Sequence, residues 1–137
     1  LGTGMSPNPV VILVIDDDEQ MLRLVELAFR RTRARVVRQN GGFGALTAIA
    51  THRPALVLLD VTMPGLDGPS LVELVRADGE LSATRVVFWS ALDRGALETI
   101  SERAGAAGVI QKTVGATALV DQVCDWLLAW DGVDLRA

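Results

Sequence analysis

Four separated places in the chain carry groups that could do chemistry together: the acidic pair Asp16 and Asp17, the acid Asp60, the hydroxyl of Ser90 and the amine of Lys112. Each stands at or just beyond the end of an apolar run. Residues 55–59, Ala-Leu-Val-Leu-Leu, deliver Asp60 and then break at once into Val-Thr-Met-Pro-Gly; residues 10–15 deliver Asp16 and Asp17 in the same way. A buried strand that stops on an acid puts a charge at the rim of a core, where it is costly unless something meets it. Two carboxylates about 4 Å apart repel by roughly 4 kcal/mol at an effective dielectric constant of 20, so three acids beside one lysine are not a stable set alone. A divalent cation restores the balance. Oxygen-only ligands, with no histidine or cysteine near them in sequence, suit Mg²⁺, with Mn²⁺ as a substitute, better than Zn²⁺.

These groups meet only if the elements between them bring the strand ends together. Residues 10–15 are six apolar, mostly β-branched positions, the pattern of a strand covered on both faces. Asp18 and Glu19 read as the cap and first turn of a helix in which Met21, Leu22, Val25, Ala28 and Phe29 recur at helical spacing. A strand follows at residues 34–38, then a weaker helix over 41–51 stopped by Pro54, and the buried strand at 55–59. Residues 69–76 read as a third helix, 85–89 as a fourth strand, a fourth helix is marked by Leu97, Ile100 and Ala104, then a strand at 107–111 and a helix over 116–130. Five alternations of strand and helix imply a parallel sheet with right-handed crossovers and helices on both faces. In such an α/β sheet, ligands collect beyond the carboxyl ends of the strands, where strand order reverses. Asp16, Asp17, Asp60, Ser90 and Lys112 all stand there.

Composition sets the outer limits. A chain of 137 residues forms one domain and can bury about two-thirds of its unfolded surface. No apolar run approaches the ~20 residues that span a bilayer, so no membrane partner is expected and the reading is cytoplasmic. The net charge of −4 argues against direct nucleic-acid binding, although Arg30, Arg31, Arg33, Arg35 and Arg38 form one basic segment, read as a solvated helix end and edge strand. The single cysteine, Cys124, excludes an internal disulfide and reads as a small apolar packing residue. His52, the only histidine, ends the weak second helix and receives no catalytic part. Gly41-Gly42-Phe43-Gly44 lacks the spacing of a dinucleotide loop and any Walker lysine, and reads as a helix entry. Leu1-Gly2-Thr3-Gly4 ahead of Met5 reads as a cloning scar, which makes residues 1–9 a disordered lead, 10–130 the domain and 131–137 a tail.

The motifs "VILVIDDDE", "LLDVTMPGLDG", "VVFWSA" and "AGAAGVIQKT" together resemble those of the response regulator receiver domain, the CheY-like phospho-acceptor module of two-component signalling, over nearly the whole chain. The resemblance implies a flavodoxin-like (βα)5 sandwich with strand order 2-1-3-4-5, an order of which CheY is itself an example. It implies that Asp60 accepts a phosphoryl group from a phosphohistidine on a sensor histidine kinase or phosphotransfer protein. It further implies Mg²⁺ held by Asp17, Asp60 and the backbone carbonyl of Thr62, with Asp16 acting through water. Lys112 then pairs with the phosphoryl oxygens and the Ser90 hydroxyl moves in to meet them. A Mg²⁺-dependent phosphohydrolase with Asp60 as nucleophile is the alternative; the haloacid-dehalogenase pattern, however, wants an acid where this chain has Thr62. A flavodoxin-like cofactor binder wants a hydroxyl-rich loop where this chain has acids.

Two positions depart from the family. Most members carry Tyr or Phe where this chain has Val109, and Lys-Pro where it has Lys112-Thr113, whose bond is therefore expected to be trans. The output face in this family is helix four, strand five and helix five. Helix five is apolar nearly all round, at Leu119, Val120, Val123, Cys124, Trp126, Leu127, Leu128 and Trp130, so some of these side chains, with Trp126 and Trp130 the ones to test, are expected to be open to a second copy or a protein partner. Trp89 is expected at the lip of the site, one residue before Ser90.

Overall fold

The structure, a computed structural model, describes residues 9–136; residues 1–8, on which the readings of a cloning scar and a disordered lead mostly fall, lie outside the described residues. Ten elements alternate along the chain: β1 (Val10–Asp16), α1 (Glu19–Ala28), β2 (Ala34–Asn40), α2 (Ala45–His52), β3 (Leu56–Asp60), α3 (Gly68–Ala77), β4 (Arg85–Ser90), α4 (Arg94–Ala104), β5 (Gly108–Gln111) and α5 (Ala116–Asp131). The five strands form one parallel sheet in the order β2-β1-β3-β4-β5, the flavodoxin-like order the sequence resemblance implies. Strand order reverses between β1 and β3, and there the site must lie.

The interiors of the central strands are apolar because both faces are covered, with alternate side chains feeding opposite layers. Ile12 and Val14 of β1, Leu56 and Leu58 of β3, and Val87 and Trp89 of β4 pack under α1 and α5 with Leu22, Val25, Phe29, Leu119, Val123 and Leu127. Leu13, Ile15, Val57, Leu59, Val86 and Phe88 face the other way, onto Ile49, Leu71, Val75 and Leu97 of α2, α3 and α4. The strands are thus clamped from two sides and their carboxyl ends are fixed. Asp18 caps α1 by accepting the Gln20 N–H, as its position in the sequence suggests.

Helix α2 starts at Ala45 rather than Gly41. Gly41 and Gly44 both take φ of 81°, a left-handed conformation that costs glycine little, so the glycine run is a shaped loop whose last member caps the helix. Cys124 is buried, and burial pushes its thiol pKa up, which leaves an inert packing residue. Arg38 on the edge strand β2 pairs with Glu19 and Glu26 at 3.8 and 3.6 Å. No peptide bond among the described residues is cis, so Lys112-Thr113 is trans as expected.

Of the apolar side chains of α5, Leu128 is exposed as expected of some of them, whereas Trp126 and Trp130 are packed. Their rings stack at 5.3 Å, the Arg85 guanidinium lies 5.1 Å from the Trp130 ring centre, and Trp126 sits against Gly108, where a Cβ would fall 2.7 Å from the indole. Both tryptophans are half-buried because they close the β5 edge; the exposed apolar side chain of α5 is Leu128. Beyond α5 the chain folds back after Gly132. The Arg33 N–H donates to the Leu135 carbonyl at 2.8 Å and the Leu135 side chain is fully buried in the α1/α5 layer. Leu135→Ala is therefore expected to cost about 2–4 kcal/mol in chemical denaturation, as for a core leucine, where a dangling terminus would cost nothing measurable.

Candidate functional site

Register sets the site. Ile15 pairs with Leu59, so Asp16 and Asp60, the next residues, leave the sheet side by side; Asp60 pairs in turn with Trp89, and Ser90 with Gln111, one residue before Lys112. Carboxylate oxygens of Asp16, Asp17 and Asp60 lie within 4.8 Å of one another. Asp16 is fully buried, Asp60 is 3% exposed and Asp17 is open to solvent. The Lys112 Nζ reaches both buried acids, at 2.6 Å from Asp16 Oδ2 and 3.1 Å from Asp60 Oδ2. The structure thus brings together the three acids, Lys112 and Ser90, all singled out by their places at strand ends.

Backbone donors hold the carboxylates in place. Asp18 N–H donates to Asp16 Oδ1 at 3.0 Å, and Thr62 N–H to Asp60 Oδ1 at 2.9 Å. The Thr62 hydroxyl donates to the same Asp60 oxygen at 2.8 Å, a contribution that sequence reading missed because it gave Thr62 only a backbone role. Ser90 is fully buried; its Oγ accepts the Leu92 N–H at 3.2 Å, and its carbonyl accepts the Lys112 N–H at 2.7 Å. Trp89 is not at the lip. It is 1% exposed in the α1/α5 layer, because neighbouring residues on a strand point to opposite faces. His52 ends α2, as expected.

Burial raises the pKa of Asp16 from its ordinary value; the Lys112 contact and the Asp18 N–H pull it down without cancelling that effect. Burial alone would lower the pKa of Lys112, but its close contacts with the Asp16 and Asp60 carboxylates outweigh it and raise the value. The folded protein holds the Asp16 proton more tightly than the unfolded chain does. Asp16 therefore favours the fold in acid, and that contribution is lost as pH rises through its raised pKa. Lys112 favours the fold at every pH below the ordinary lysine value and loses this only as pH rises through its own raised pKa.

Three carboxyl groups face one ammonium, and the buried Asp16 Oδ2 makes an ion pair with Lys112 without an aligned hydrogen-bond donor. An all-oxygen set with negative charge to spare fits a hard divalent cation of the Mg²⁺ type.

A doubly wound α/β domain with an acid cluster, a lysine and a hydroxyl at its switch point defines a narrow class. The sequence profile of the response regulator receiver domain matches residues 12–124. The transcriptional regulatory protein CseB of Streptomyces avermitilis is 30% identical over 112 residues, 82% of this chain and 46% of that protein. Among solved structures, the receiver domain of the putative response regulator NarL of Mycobacterium tuberculosis superposes with a TM-score of 0.71 at 35% identity, covering 88% of this chain and 97% of that one. The beryllofluoride-activated receiver domain of Klebsiella pneumoniae RstA gives 0.73 at 28% identity, covering 82% and 94%. The chain belongs to the response regulator receiver domain family. It spans less than two thirds of the length of the curated relatives it matches.

Asp17 carries the charge of this cluster that Lys112 does not touch. In metal-free protein Asp17→Asn is expected to raise stability by roughly 1 kcal/mol through relieved repulsion, and to remove most of the stabilisation that Mg²⁺ confers on the unaltered protein. Thermal melts with and without Mg²⁺ read both effects; a destabilised variant that still responds fully to Mg²⁺ would contradict the arrangement.

Proposed function

We propose that this domain is a phosphorylation switch in which Asp60 takes a phosphoryl group from a phosphohistidine on a sensor histidine kinase or phosphotransfer protein. The observation that carries the reading is Asp60 itself: a carboxylate at the end of a buried strand, with one oxygen on Thr62 and the other on Lys112, beside two further acids. An Asp60 oxygen attacks phosphorus, the bond from phosphorus to the donor imidazole nitrogen breaks, and the imidazole leaves with the electron pair and takes up a proton. Nothing is oxidised or reduced. Such a transfer asks the protein for alignment and for charge neutralisation on the phosphoryl oxygens.

The clamped sheet supplies alignment. Lys112, already 3.1 Å from Asp60 Oδ2, supplies one positive charge beside the incoming group. Asp17 and Asp60, with the Thr62 carbonyl and with Asp16 through water, would hold Mg²⁺ or Mn²⁺, which supplies the remaining charge neutralisation when bound. The Ser90 hydroxyl, buried at the end of β4, turns from the Leu92 N–H toward the phosphoryl group and carries the change into the loop before α4. The face of α4, β5 and α5 is the readout surface, for a second copy or a protein partner. Catalysis is confined to the domain's own phosphorylation and dephosphorylation. Charge supports a protein rather than nucleic acid as the direct partner, since Arg38 of the basic segment is engaged by two glutamates. Among the described residues no helix is long and apolar enough to cross a membrane, which agrees with a place in the cytoplasm beside its phosphodonor.

Incubation with acetyl phosphate and Mg²⁺ is expected to add one hydroxylamine-labile phosphoryl group by intact mass. Asp60→Asn should abolish it, and Lys112→Ala should slow it by roughly a hundredfold, the scale of one lost electrostatic partner at a reacting group. Undiminished labelling of the Asn variant would overturn the assignment.

A further inference from the structure

Both backbone groups of Leu92, in the loop between β4 and α4, are held. Its N–H donates to Ser90 Oγ at 3.2 Å, and its carbonyl accepts the side-chain Nε2 of Gln111 at 3.2 Å. Gln111 ends β5, pairs in register with Ser90 and immediately precedes Lys112, whose N–H donates to the Ser90 carbonyl at 2.7 Å. The hydroxyl, the loop and the strand end that carries the lysine therefore form one closed set of hydrogen bonds. Beside it, Val109 offers only an isopropyl group where an aromatic ring could have coupled β5 to Ser90.

We propose that Gln111 is a positioning residue: acting through Leu92, it holds the Ser90 hydroxyl in its resting place and sets the cost of moving it toward a phosphoryl group. The inference rests on the reading of Asp60 as the phosphoacceptor and adds the element that ties the response to β5. When the Ser90 hydroxyl turns to Asp60 it must release the Leu92 N–H. A half-buried backbone donor does not stay unpaired, so the loop shifts to find it a partner. The loop cannot shift freely while Gln111 holds the Leu92 carbonyl. Leaving the resting state therefore stretches or breaks the Gln111 bond, and its strength is part of the switching free energy. The same bond transmits the movement to β5, so the edge strand responds although Val109 has nothing to rotate.

The test is binding of beryllofluoride, which mimics a phosphoryl group on a carboxylate, followed by ¹⁹F NMR in the presence of Mg²⁺. Gln111→Met keeps the length and volume of the side chain and removes the donor; Gln111→Leu serves as a second variant should the first fold poorly. Loss of one hydrogen bond from the resting state is expected to tighten beryllofluoride binding about fivefold. In a Ser90→Ala background the same substitution should change affinity by less than about twofold, because the residue acts through the hydroxyl. Unchanged or weaker binding by both single variants overturns the proposal, as does an equal gain in the Ser90→Ala background. Failure of the unaltered protein to bind beryllofluoride on Asp60 would overturn the phosphoacceptor reading itself, a result distinct from either.

Discussion

The ammonium of Lys112 reaches two carboxylates, Asp16 and Asp60, that the sheet has carried into a corner nearly closed to water. Neither acid could be held there alone, since an unpaired buried charge costs several kcal/mol. One lysine cannot satisfy both acids and Asp17 as well. The site is consequently stable enough to fold and still short of positive charge, the condition a receptor for a divalent cation and a phosphoryl group has to meet. The rest of the molecule serves to keep that shortage in place.

Two apolar layers do this from opposite sides of the sheet. Val14 and Leu58 are pinned under α1 and α5, and Ile15 and Leu59 under α2 and α3, so the residues that follow them cannot drift apart to relieve repulsion. Close-packed interiors transmit strain rather than absorb it, which favours two discrete arrangements of the loop after β4 over a continuum. The connection from Ser90 through Leu92 to Gln111 is where such a choice can be made without disturbing the core.

Much of this was legible in the residues. Apolar runs ending in Asp16, Asp60 and Ser90 announced strands buried on both faces, and the structure ends β1, β3 and β4 on those three residues. The strand order came from family resemblance, since alternation alone permits several. What escaped the reading depends on facing direction or register. Trp89 was misplaced because its neighbour Ser90 belongs to the site while the pleat turns Trp89 into the opposite layer. The glycines at 41 and 44 look like a helix entry until their positive φ angles make them a loop. Gln111 and the Thr62 hydroxyl matter through single hydrogen bonds that no spacing rule encodes, and Leu135 is one apolar residue in a segment too short to show a period.

The central claim is that Asp60 and its neighbours form a joint receptor for a phosphoryl group and a divalent cation, and a crystal structure grown with Mg²⁺ and beryllofluoride tests it most directly. The account predicts beryllium joined to an Asp60 oxygen, Lys112 and the Ser90 hydroxyl turned to the fluorines, and Mg²⁺ held by Asp17, Asp60 and the Thr62 carbonyl. Beryllofluoride elsewhere, or a metal that ignores the acid cluster, would contradict it.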